Sequence, residues 1–598
     1  MRGGASADEI AAAFGSRSLA LEDDALDTCV ALCLEFGVSG DVFADHWDAY
    51  SMNANVSTAT KDALAGFRTT LSEKAKAKPK APTKSIVKRE PLSETPKKRP
   101  PPSSFQSPEA KAQKASGIFS PSSFQSPPSA AEYAGRQNAG EVVDSFNASL
   151  KAMVPETTHA AAVKIALLAP EKHMQSSSNF MYTPSAERAI ALDAQLVAFQ
   201  EALAAAHPTM EFGAIGDPSP ATVTVVGRIV CEAAEGKLNS SVVQLEGARP
   251  YCGGQRVLLD LSQVPSFEVF PGKIVAVEGV YSDLRNPMAV RQVIDPSMLP
   301  LPTTPKATLR TLHATHGGPV RLFIASGPFT PNTDANYQPL QDLFAVAMKE
   351  QPDVVILIGP FIDANHASFK DGIATYDDML VSFDDIFLLH IMARINQLLA
   401  AVPNLQVVLI PSLRDVNHAY VYPQPPFDRK KTMEALDSSS YNKRVHLMSN
   451  PCTFAVHGTV FGVTSSDILL ELGGAELHRA QNHSQQRLIR LSEQVLRQKS
   501  FFPLFPSTAE TPLDLKYMAQ YEMPLTPDIL VLPSVLNRFC GSVQDTLCIN
   551  PGQLSKGVAG GTYASVTILP LPSLASGDDD DLVSHDILKR TVTEIKRI

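Results

Sequence analysis

The chain lacks the features that mark membrane-spanning and secreted proteins. Its 598 residues contain no run of about 18 apolar residues, the length that a helix needs to cross a bilayer, so we expect no transmembrane helix and no membrane partner. Residues 1–13 contain one Arg and no long apolar core, unlike a secretory signal. Seven cysteines are too few for a disulfide framework in a chain of this length, which favours a reducing, intracellular compartment.

Positive charge is scarce outside one segment. The net charge is −10, yet residues 74–114 hold twelve Lys or Arg against three Glu, which leaves the rest of the chain at −19. Non-specific binding to nucleic acid depends on clustered Lys and Arg that neutralise phosphates. We therefore expect the protein to bind DNA mostly indirectly, through its partners.

Length and composition predict four parts. The first, residues 1–72, is predicted to be a small α-helical interaction domain, because apolar side chains recur at helical spacing. One such stripe consists of Leu26, Cys29, Val30, Cys33 and Leu34. Cys29 and Cys33, one helical turn apart, could bind a metal ion, but no other Cys or His pair lies nearby in the sequence. Packing in a core is the favoured interpretation.

The second part, residues 73–149, is predicted to be a disordered linker because Lys, Pro, Ser and Ala dominate it. The pentapeptide Ser-Phe-Gln-Ser-Pro occurs twice, at 104–108 and 123–127. Proline after a hydroxyl residue suits proline-directed kinases, and we favour phosphorylation over an unmodified spacer. The candidate phosphorylation sites are Thr95, Ser107, Ser120 and Ser126. A candidate nuclear-import signal, which could equally be solvated charge, consists of Lys97, Lys98 and Arg99.

The third part, residues 150–305, is predicted to be a β-domain with a helix at 187–206 before it. Short strand patterns follow at 222–228, 241–246, 256–261 and 273–281, separated by Gly, Pro and Asn turns. This pattern suits a small barrel of the oligonucleotide/oligosaccharide-binding (OB) type. Such barrels often bind single strands through aromatic side chains and a basic groove, but few aromatic or Lys residues lie on these strands. A barrel that docks protein is at least as consistent with the sequence.

The fourth part, residues 306–598, alternates strand and helix patterns. Strands are predicted at 320–325, 354–358 and 407–410, with helices at 340–349 and 386–399 between them, and later strands at 454–463, 529–532 and 565–569. Short apolar strands between helices predict an α/β domain with a sheet that is covered on both faces.

Residues 320–570 resemble the calcineurin-like phosphoesterases, whose strands end in metal-binding turns. The motifs of active members are Asp-x-His, Gly-Asp-x-x-Asp, Gly-Asn-His-Asp/Glu and Gly-His-x-His, which supply carboxylate, amide and imidazole ligands to two metal ions. The corresponding turns here read Ala-Ser-Gly-Pro at 325–328, Gly-Pro-Phe-Ile-Asp at 359–363, Ser-Leu-Arg-Asp at 412–415 and Pro-Ser-Val-Leu at 533–536. The resemblance therefore implies a phosphoesterase fold that has no catalytic residues and binds no metal or cofactor.

The degenerate former metal positions are Ser326, Pro328, Pro360, Asp363, Ser412, Leu413, Arg414, Asp415, Ser534 and Leu536. Only Asp363 and Asp415 retain a carboxylate in this mapping, and we expect them to cap a turn or to pair with a cation such as Arg414. The proline-rich segment 423–426 is expected to fill the former metal cleft, with a contact loop as the alternative.

Two other functions stay open. A residual metal-dependent phosphodiesterase would need His418, His446 or His457 to rebuild a site, and none of them falls at a ligand position of the family. A single-strand-binding module would use the barrel. A hydrolase of the Gly-x-Ser-x-Gly type is not indicated, because that motif does not occur in the sequence.

An OB barrel followed by an inactive phosphoesterase domain resembles the B subunits of the replicative DNA polymerases. Residues 410–427, which read Ile-Pro-Ser-Leu-Arg-Asp-Val-Asn-His-Ala-Tyr-Val-Tyr-Pro-Gln-Pro-Pro-Phe, resemble the signature segment of the B subunits that serve DNA polymerase alpha–primase. The altered turns at 326–329 and 359–361, the helical first part and the linker also fit that branch of the family.

The resemblance implies a non-catalytic scaffold subunit that works in the nucleus and supports primer synthesis at the initiation of DNA replication. The barrel and the phosphoesterase-like domain would bind the zinc-containing C-terminal domain of the polymerase alpha catalytic subunit, in a complex with two primase subunits. The helical domain would bind replication-initiation factors, and the linker would carry cell-cycle phosphorylation.

Overall fold

The computed structural model describes residues 133–598 with gaps at 155–160, 232–236, 284–285, 373, 377–378, 480–485 and 572–578, and parts of residues 7–68. The chain divides into two compact units, residues 1–120 with 482–484 and the remainder of the chain. The candidate phosphorylation and nuclear-import residues lie outside the described residues and stay predictions; they are Thr95, Lys97, Lys98, Arg99, Ser107, Ser120 and Ser126.

The first unit is a small helical core. Helices α1 (Ala7–Ser16) and α2 (Leu26–Phe36) accompany two short parallel strands, β1 (Ala20–Leu21) and β2 (Thr58–Ala59). Trp47 and Phe67 pack edge to face, with ring centroids 5.2 Å apart. Cys29 and Cys33 are fully buried, and burial raises the pKa of these thiols to about 12 and about 11. Both thiols therefore stay protonated at neutral pH and serve as core side chains.

Two short strands early in the second unit belong to its large sheets. Strand β3 (Val142–Phe146) and strand β4 (Ile165–Leu167) each form the edge of one of the two sheets described below. The domain boundaries predicted from the sequence differ from this arrangement, because they place β3 in the linker (73–149) and β4 in the barrel domain (150–305). Their pairing partners lie far along the chain, so no local pattern reveals them.

Helix α3 (Ser185–Ala206) leads into the barrel, as predicted for 187–206. It packs Phe199 and Leu203 against Val226 and Ala276 of the barrel. By length and composition alone this helix could also cross a membrane, and a single helix of this kind is weak evidence of a membrane span.

The predicted barrel is present and closed. Its segment contains β5 (Ser219–Cys231), β6 (Val243–Glu246), helix α4 (Arg249–Cys252), β7 (Arg256–Asp260), β8 (Phe267–Val269), β9 (Ile274–Tyr281) and β10 (Met288–Ile294). Five of these strands close in the order β10-β7-β6-β5-β9. Gly279 allows β9 to approach β10 closely, because a Cβ there would lie 2.3 Å from the carbonyl oxygen of Ala289.

The rest of the second unit is built from many further strands. They are β11 (Thr303–Pro305), β12 (Val320–Ser326), β13 (Val354–Ile358), β14 (Ala374–Tyr376), β15 (Met379–Val381), β16 (Gln406–Ile410), β17 (Val445–Leu447), β18 (Cys452–Val456), β19 (Thr459–Val463), β20 (Leu477–Arg479), β21 (Ile529–Val531), β22 (Phe539–Val543), β23 (Thr546–Asn550), β24 (Ser555–Lys556), β25 (Ala559–Gly560), β26 (Thr562–Ile568), β27 (Leu582–Ser584) and β28 (Thr591–Arg597). A seven-stranded sheet has the order β17-β16-β13-β12-β26-β28-β3, and a six-stranded sheet has the order β22-β23-β21-β19-β18-β4.

The two sheets pack face to face, which corrects the expectation of one sheet with helices on both faces. Ile356 and Val408 of the seven-stranded sheet share a buried cluster with Phe454, Phe461 and Ile529 of the six-stranded sheet. Each sheet therefore covers one face of the other, and helices cover only the outer faces. Fully apolar strands do not distinguish these two arrangements, since both bury each strand on two sides.

The outer layers are helical. Their helices are α5 (Lys306–His316), α6 (Gln338–Glu350), α7 (Phe383–Ile386), α8 (Ala393–Ala401), α9 (Arg429–Glu434), α10 (Ile468–Ala475), α11 (Arg487–Arg497), α12 (Met518–Tyr521) and α13 (Ile587–Arg590), with a π-helical stretch, Phe387–Met392, between α7 and α8. Helices α6 and α8 cover the seven-stranded sheet, and α10 and α11 cover the six-stranded sheet.

The predicted strand at 454–463 is instead a hairpin of β18 and β19. His457 and Gly458 form its two-residue turn with φ of 50° and 90°. A two-residue turn with positive φ at both positions suits the twist of a hairpin. His is uncommon in this conformation, so the sequence carries no strong turn signal here.

Buried ion pairs join the barrel to the sheets. Strand β8 pairs with β20, and Glu268 on β8 lies 2.6 Å from Arg490 on α11. The same guanidinium lies 2.8 Å from Glu476, just before β20. In all three residues the side chain is at most 14% exposed. Ion pairs between largely buried side chains thus hold the barrel against the sheets.

We expect Arg490→Met to weaken this junction strongly, because it removes the ion-pair partner of the buried Glu268, whereas Glu476 keeps Arg487 at 2.9 Å. Removing one partner of a buried ion pair costs about 3 kcal/mol or more, which lowers the thermal midpoint of the full-length protein. Arg497→Met is the control, since among the described residues Arg497 forms an ion pair only with Glu493 one turn away on the same helix, an arrangement that contributes less than about 1 kcal/mol. Equal thermal midpoints for the two variants would contradict the role of Arg490 in joining the barrel to the sheets.

Candidate functional site

The turns singled out in the sequence lie at one edge of the sheets. Strands β12, β13 and β16 run parallel to one another in the seven-stranded sheet, and β19, β21 and β23 run parallel in the six-stranded sheet. The turns at 326–328, 359–363 and 412–415 follow the carboxyl ends of the first three strands, and the turn at 533–536 follows β21. Ligand sites of α/β sheets form at such edges, so this edge is the candidate functional site.

The Asp415 carboxylate ties two of these turns together. Its Oδ1 accepts hydrogen bonds from the backbone N–H groups of Phe361 at 2.5 Å and Ile362 at 3.0 Å. Its Oδ2 accepts from the N–H of Ser412 at 2.8 Å. The residue is 3% exposed, and burial raises its pKa to about 7 although the three donors favour the ionised form. Both carboxylate oxygens of Asp415 therefore accept hydrogen bonds from the protein's own backbone.

Only glycine fits at the start of the second turn. A Cβ on Gly359 would lie 2.4 Å from Oδ2 of Asp415 and 2.9 Å from the backbone nitrogen of Ser412. The close approach of the two turns, which the Asp415 hydrogen bonds require, depends on this absence of a side chain.

Asp363 pairs with Arg414, as the sequence suggested. The guanidinium donates from Nε to Oδ1 at 3.0 Å, and a second guanidinium nitrogen contacts Oδ2. A backbone hydrogen bond joins the same two turns, because the N–H of Ala364 donates to the carbonyl of Arg414 at 2.8 Å. A two-point guanidinium–carboxylate contact is the stronger form of this pair. The carboxylate of Asp363 is thereby neutralised by a side chain of the neighbouring turn.

The fourth turn is held by two residues that the sequence reasoning missed. Asp467 accepts from the N–H groups of Leu470 at 3.1 Å and Val535 at 2.8 Å. Asn550 accepts from the N–H groups of Ser534 at 3.0 Å and Gly552 at 2.9 Å. An N-cap signal was available for Asp467, because Asp directly precedes the apolar start of α10.

The other positions that the sequence resemblance assigned to metal-binding turns carry small or apolar side chains. Ser326, Ser412 and Ser534 are buried, and so are Pro360 and Leu413. Pro328 and Leu536 are half-buried, and Leu536 packs on the apolar cluster beneath α10 and α11. These side chains offer no carboxylate or imidazole to a cation.

The proline-rich segment 423–426 and the adjacent Tyr422 pack into this edge of the sheets. Gln424 is fully buried, and its Nε2 donates to the carbonyls of Ser412 at 3.1 Å and Ala419 at 2.7 Å. Its Oε1 accepts from Asn450 Nδ2 at 2.8 Å. Tyr422, also fully buried, is hydrogen-bonded to Thr464 through its hydroxyl at 3.1 Å. The segment is therefore packed between the turns of this edge, and the buried Tyr422 and Gln424 are not available to contact a partner.

The three histidines that could have rebuilt a metal site are separated. His418 is hydrogen-bonded to the carbonyl of Pro425 at 2.7 Å, and His446 on β17 is hydrogen-bonded to Gln406 at 2.9 Å. His457 lies in the β18–β19 turn, at the amino end of β19 and so at the opposite edge. Among the residues that the structure describes, no three His, Cys, Asp or Glu side chains converge in a way that could hold a metal ion.

Comparisons with known proteins agree with this architecture. Three family models match, for the N-terminal region of the DNA polymerase alpha B subunit at residues 8–74, for the OB domain of the same protein at 190–295, and for the DNA polymerase alpha/epsilon B subunit at 322–541. The DNA polymerase alpha B subunit of Mus musculus is 30% identical over 500 residues, which cover 83% of this chain and 76% of the mouse protein. The chain belongs to the family of DNA polymerase alpha B subunits.

Other members of this B-subunit family are about as similar. The protein of Schizosaccharomyces pombe is 32% identical over 474 residues, 77% of this chain and 79% of its own length. A structural match to an archaeal phosphodiesterase covers 44% of this chain and 98% of that one, with 11% identity and a TM-score of 0.20. That score is too low to support a conclusion about fold or activity.

We expect Asp415→Asn to destabilise the protein. The amide keeps one oxygen but turns an NH2 group toward backbone donors, which leaves at least one buried N–H without an acceptor at a cost of about 1–3 kcal/mol. Asp384→Asn is the control, because Asp384 is an exposed partner of Lys431 in the kind of surface pair that contributes less than about 1 kcal/mol. Denaturant unfolding of both variants measures the difference, and a loss for Asp415→Asn no larger than the control's would contradict the assigned role.

We expect His457 to make the protein less stable in acid. Burial lowers its pKa from 6.5 to about 4, and its Nδ1 has no hydrogen-bond partner in the part of the chain that the structure describes. The unfolded chain therefore binds more protons between these values, so stability falls as pH falls from 6.5 to 4. His457→Asn, which suits the positive φ, should reduce the fall in thermal midpoint across that window, whereas the exposed His207→Asn should not. An unchanged fall in the first variant would contradict the assignment.

Proposed function

We propose that this protein is a non-catalytic accessory and scaffold subunit of a DNA polymerase alpha–primase complex. The observation that carries the proposal is the family membership, with a family model matching each of the helical, barrel and sheet regions. In this role the protein supports RNA–DNA primer synthesis at the initiation of DNA replication in the nucleus, and it supplies neither the primase site nor the polymerase site.

The chemistry of the candidate site supports the non-catalytic part of this proposal. Metal-dependent phosphodiester hydrolysis needs open carboxylate and imidazole ligands and a polarised water. Asp415 and Asp467 use their oxygens to accept backbone hydrogen bonds, and Asp363 is paired with a guanidinium. Gln424 of the proline-rich segment is also fully buried at this edge and bonded to Ser412.

The proposed partner surface comprises the barrel and the sheets together. We propose that it binds the zinc-containing C-terminal domain of the polymerase alpha catalytic subunit, within a complex that includes two primase subunits. The buried ion pairs of Arg490 support this assignment, because contacts that hold the barrel against the sheets favour one pre-organised surface over two independent ones. The helical unit is proposed to bind replication-initiation factors, and the linker to carry phosphorylation.

Purification of the tagged protein from its native cells tests the complex. We expect stoichiometric recovery of a large polymerase chain and two primase chains, because an obligate scaffold stays bound to its partners. Recovery of this chain alone, or with unrelated proteins, would reject the proposed function.

A phosphodiesterase assay tests the alternative. We expect no turnover of bis(p-nitrophenyl) phosphate above the buffer rate with Mn²⁺ or Mg²⁺, since the carboxylates of the edge are already satisfied. Turnover that requires metal and disappears in Asp363→Ala would contradict the non-catalytic assignment and favour a residual phosphodiesterase.

A further inference from the structure

Six Ser-Pro or Thr-Pro pairs lie in the described part of the chain, outside the linker, and one of them differs from the rest. Their hydroxyl residues are Thr183, Ser219, Thr304, Thr330, Thr511 and Thr526. The last three are at most 5% exposed, and Ser219 and Thr304 lie on strands β5 and β11. Among the described residues, Thr183 alone is neither that deeply buried nor part of a strand; it is half-buried and lies directly before α3. Kinases bind extended, accessible segments, so Thr183 is the site that the fold leaves open.

The surroundings of Thr183 are exposed. Met181 is 58% exposed and Tyr182 83% exposed, while Pro184 and Ser185 on its other side are also exposed. Binding in a kinase cleft would therefore leave every sheet intact and would require only the first turn of α3, which begins at Ser185, to open. The Thr-Pro pair has the sequence that a proline-directed kinase needs, and its neighbours on both sides are exposed.

The Thr183 hydroxyl is held by a buried carboxylate. Its Oγ1 donates to Oδ1 of Asp514 at 3.3 Å, and the N–H of Met181 donates to Oδ2 of the same residue at 2.7 Å. Asp514 is 3% exposed. Met181 has a φ of 61°, a conformation that costs a non-glycine residue free energy, and its bond to Asp514 helps to hold it. One carboxylate thus fixes the position of the whole segment 181–183.

We propose that Thr183 is a phosphorylation site and that its phosphate releases segment 181–183 from Asp514. A proline-directed kinase would transfer the γ-phosphoryl group of ATP to Oγ1, with loss of the hydroxyl proton and release of ADP. The product carries about two negative charges and no hydroxyl donor. It can no longer donate to Asp514, and it repels that carboxylate across a contact of hydrogen-bond length.

Release would change what the surface presents. The Met181 N–H would lose its acceptor, and its backbone could leave the positive-φ conformation. The exposed side chains of Met181 and Tyr182 would then move from fixed positions to mobile ones. The two residues just before the segment contact Tyr517. Its hydroxyl donates to the carbonyl of Asn179 at 2.9 Å, and its ring lies 5.6 Å from that of Phe180. Release of the segment would weaken these contacts too.

The first experiment treats the full-length protein with a cyclin-dependent kinase and ATP and follows each site by phosphopeptide mass spectrometry. We expect Thr183 to be modified in the folded wild type and in the Ser219→Ala control, with no phosphate at Thr330, Thr511 or Thr526. A synthetic peptide spanning 178–189 reports whether the kinase accepts this sequence. Modification of the peptide but not of Thr183 in the protein would overturn the proposal, and so would modification of neither.

The second experiment measures hydrogen–deuterium exchange at the Met181 amide. We expect phosphorylation to speed exchange about tenfold, the factor that corresponds to the net stabilisation by one hydrogen bond. Asp514→Asn separates repulsion from a general loosening: in this variant the phosphate should speed exchange much less, because the negative charge that repels it is gone. Unchanged exchange after phosphorylation of the wild type, or equal acceleration in both proteins, would contradict release by Asp514. Both readouts are independent of partner recovery.

Discussion

The Asp415 carboxylate is bonded to the backbone of two turns, and the geometry of the candidate site depends on it. Two backbone donors from the turn after β13 and one from the turn after β16 point at its two oxygens. This contact brings Asp363 beside Arg414, requires glycine at 359, and sets the position from which Gln424 reaches Ser412. A buried carboxylate is costly unless it is paired, and here backbone N–H groups stabilise it.

The same principle applies across the edge. Asp467 stabilises the start of α10 and the turn at Val535, Asn550 links the fourth turn to the loop after β23, and Arg414 neutralises Asp363. These side chains use their polar atoms to hold neighbouring turns of the protein to one another.

The sequence predicted the elements whose signal is local. Strand β13 has the bounds expected for 354–358, because its five apolar residues are buried on both faces, and α3 was visible as a long helical pattern. The edge strands β3 and β4 could not be predicted, since their partners lie far along the chain, and the β18–β19 hairpin was missed because His457 is an unusual turn residue. The packing of two sheets against each other was also missed, because apolar strands are buried on both faces in either arrangement.

The candidate site was predictable in part for a similar reason. The pairing of Asp363 with Arg414 follows from residue types within two short turns. The roles of Gln424, Asp467 and Asn550 depend on partners that folding brings together, and nothing in their own neighbourhoods indicates those partners apart from the N-cap pattern at Asp467. Contacts between segments that are distant in the sequence are therefore the part of the site that the sequence does not reveal.

The most direct measurement of the central claim is an anomalous difference map from crystals of the protein soaked in Mn²⁺. If the carboxylates of the edge are satisfied by the protein's own donors, the map will show no peak within coordination distance of Asp363, Asp415 or Asp467, and the Phe361 and Ile362 amides will remain on Asp415. A peak bridging these carboxylates, with Arg414 displaced, would contradict the account.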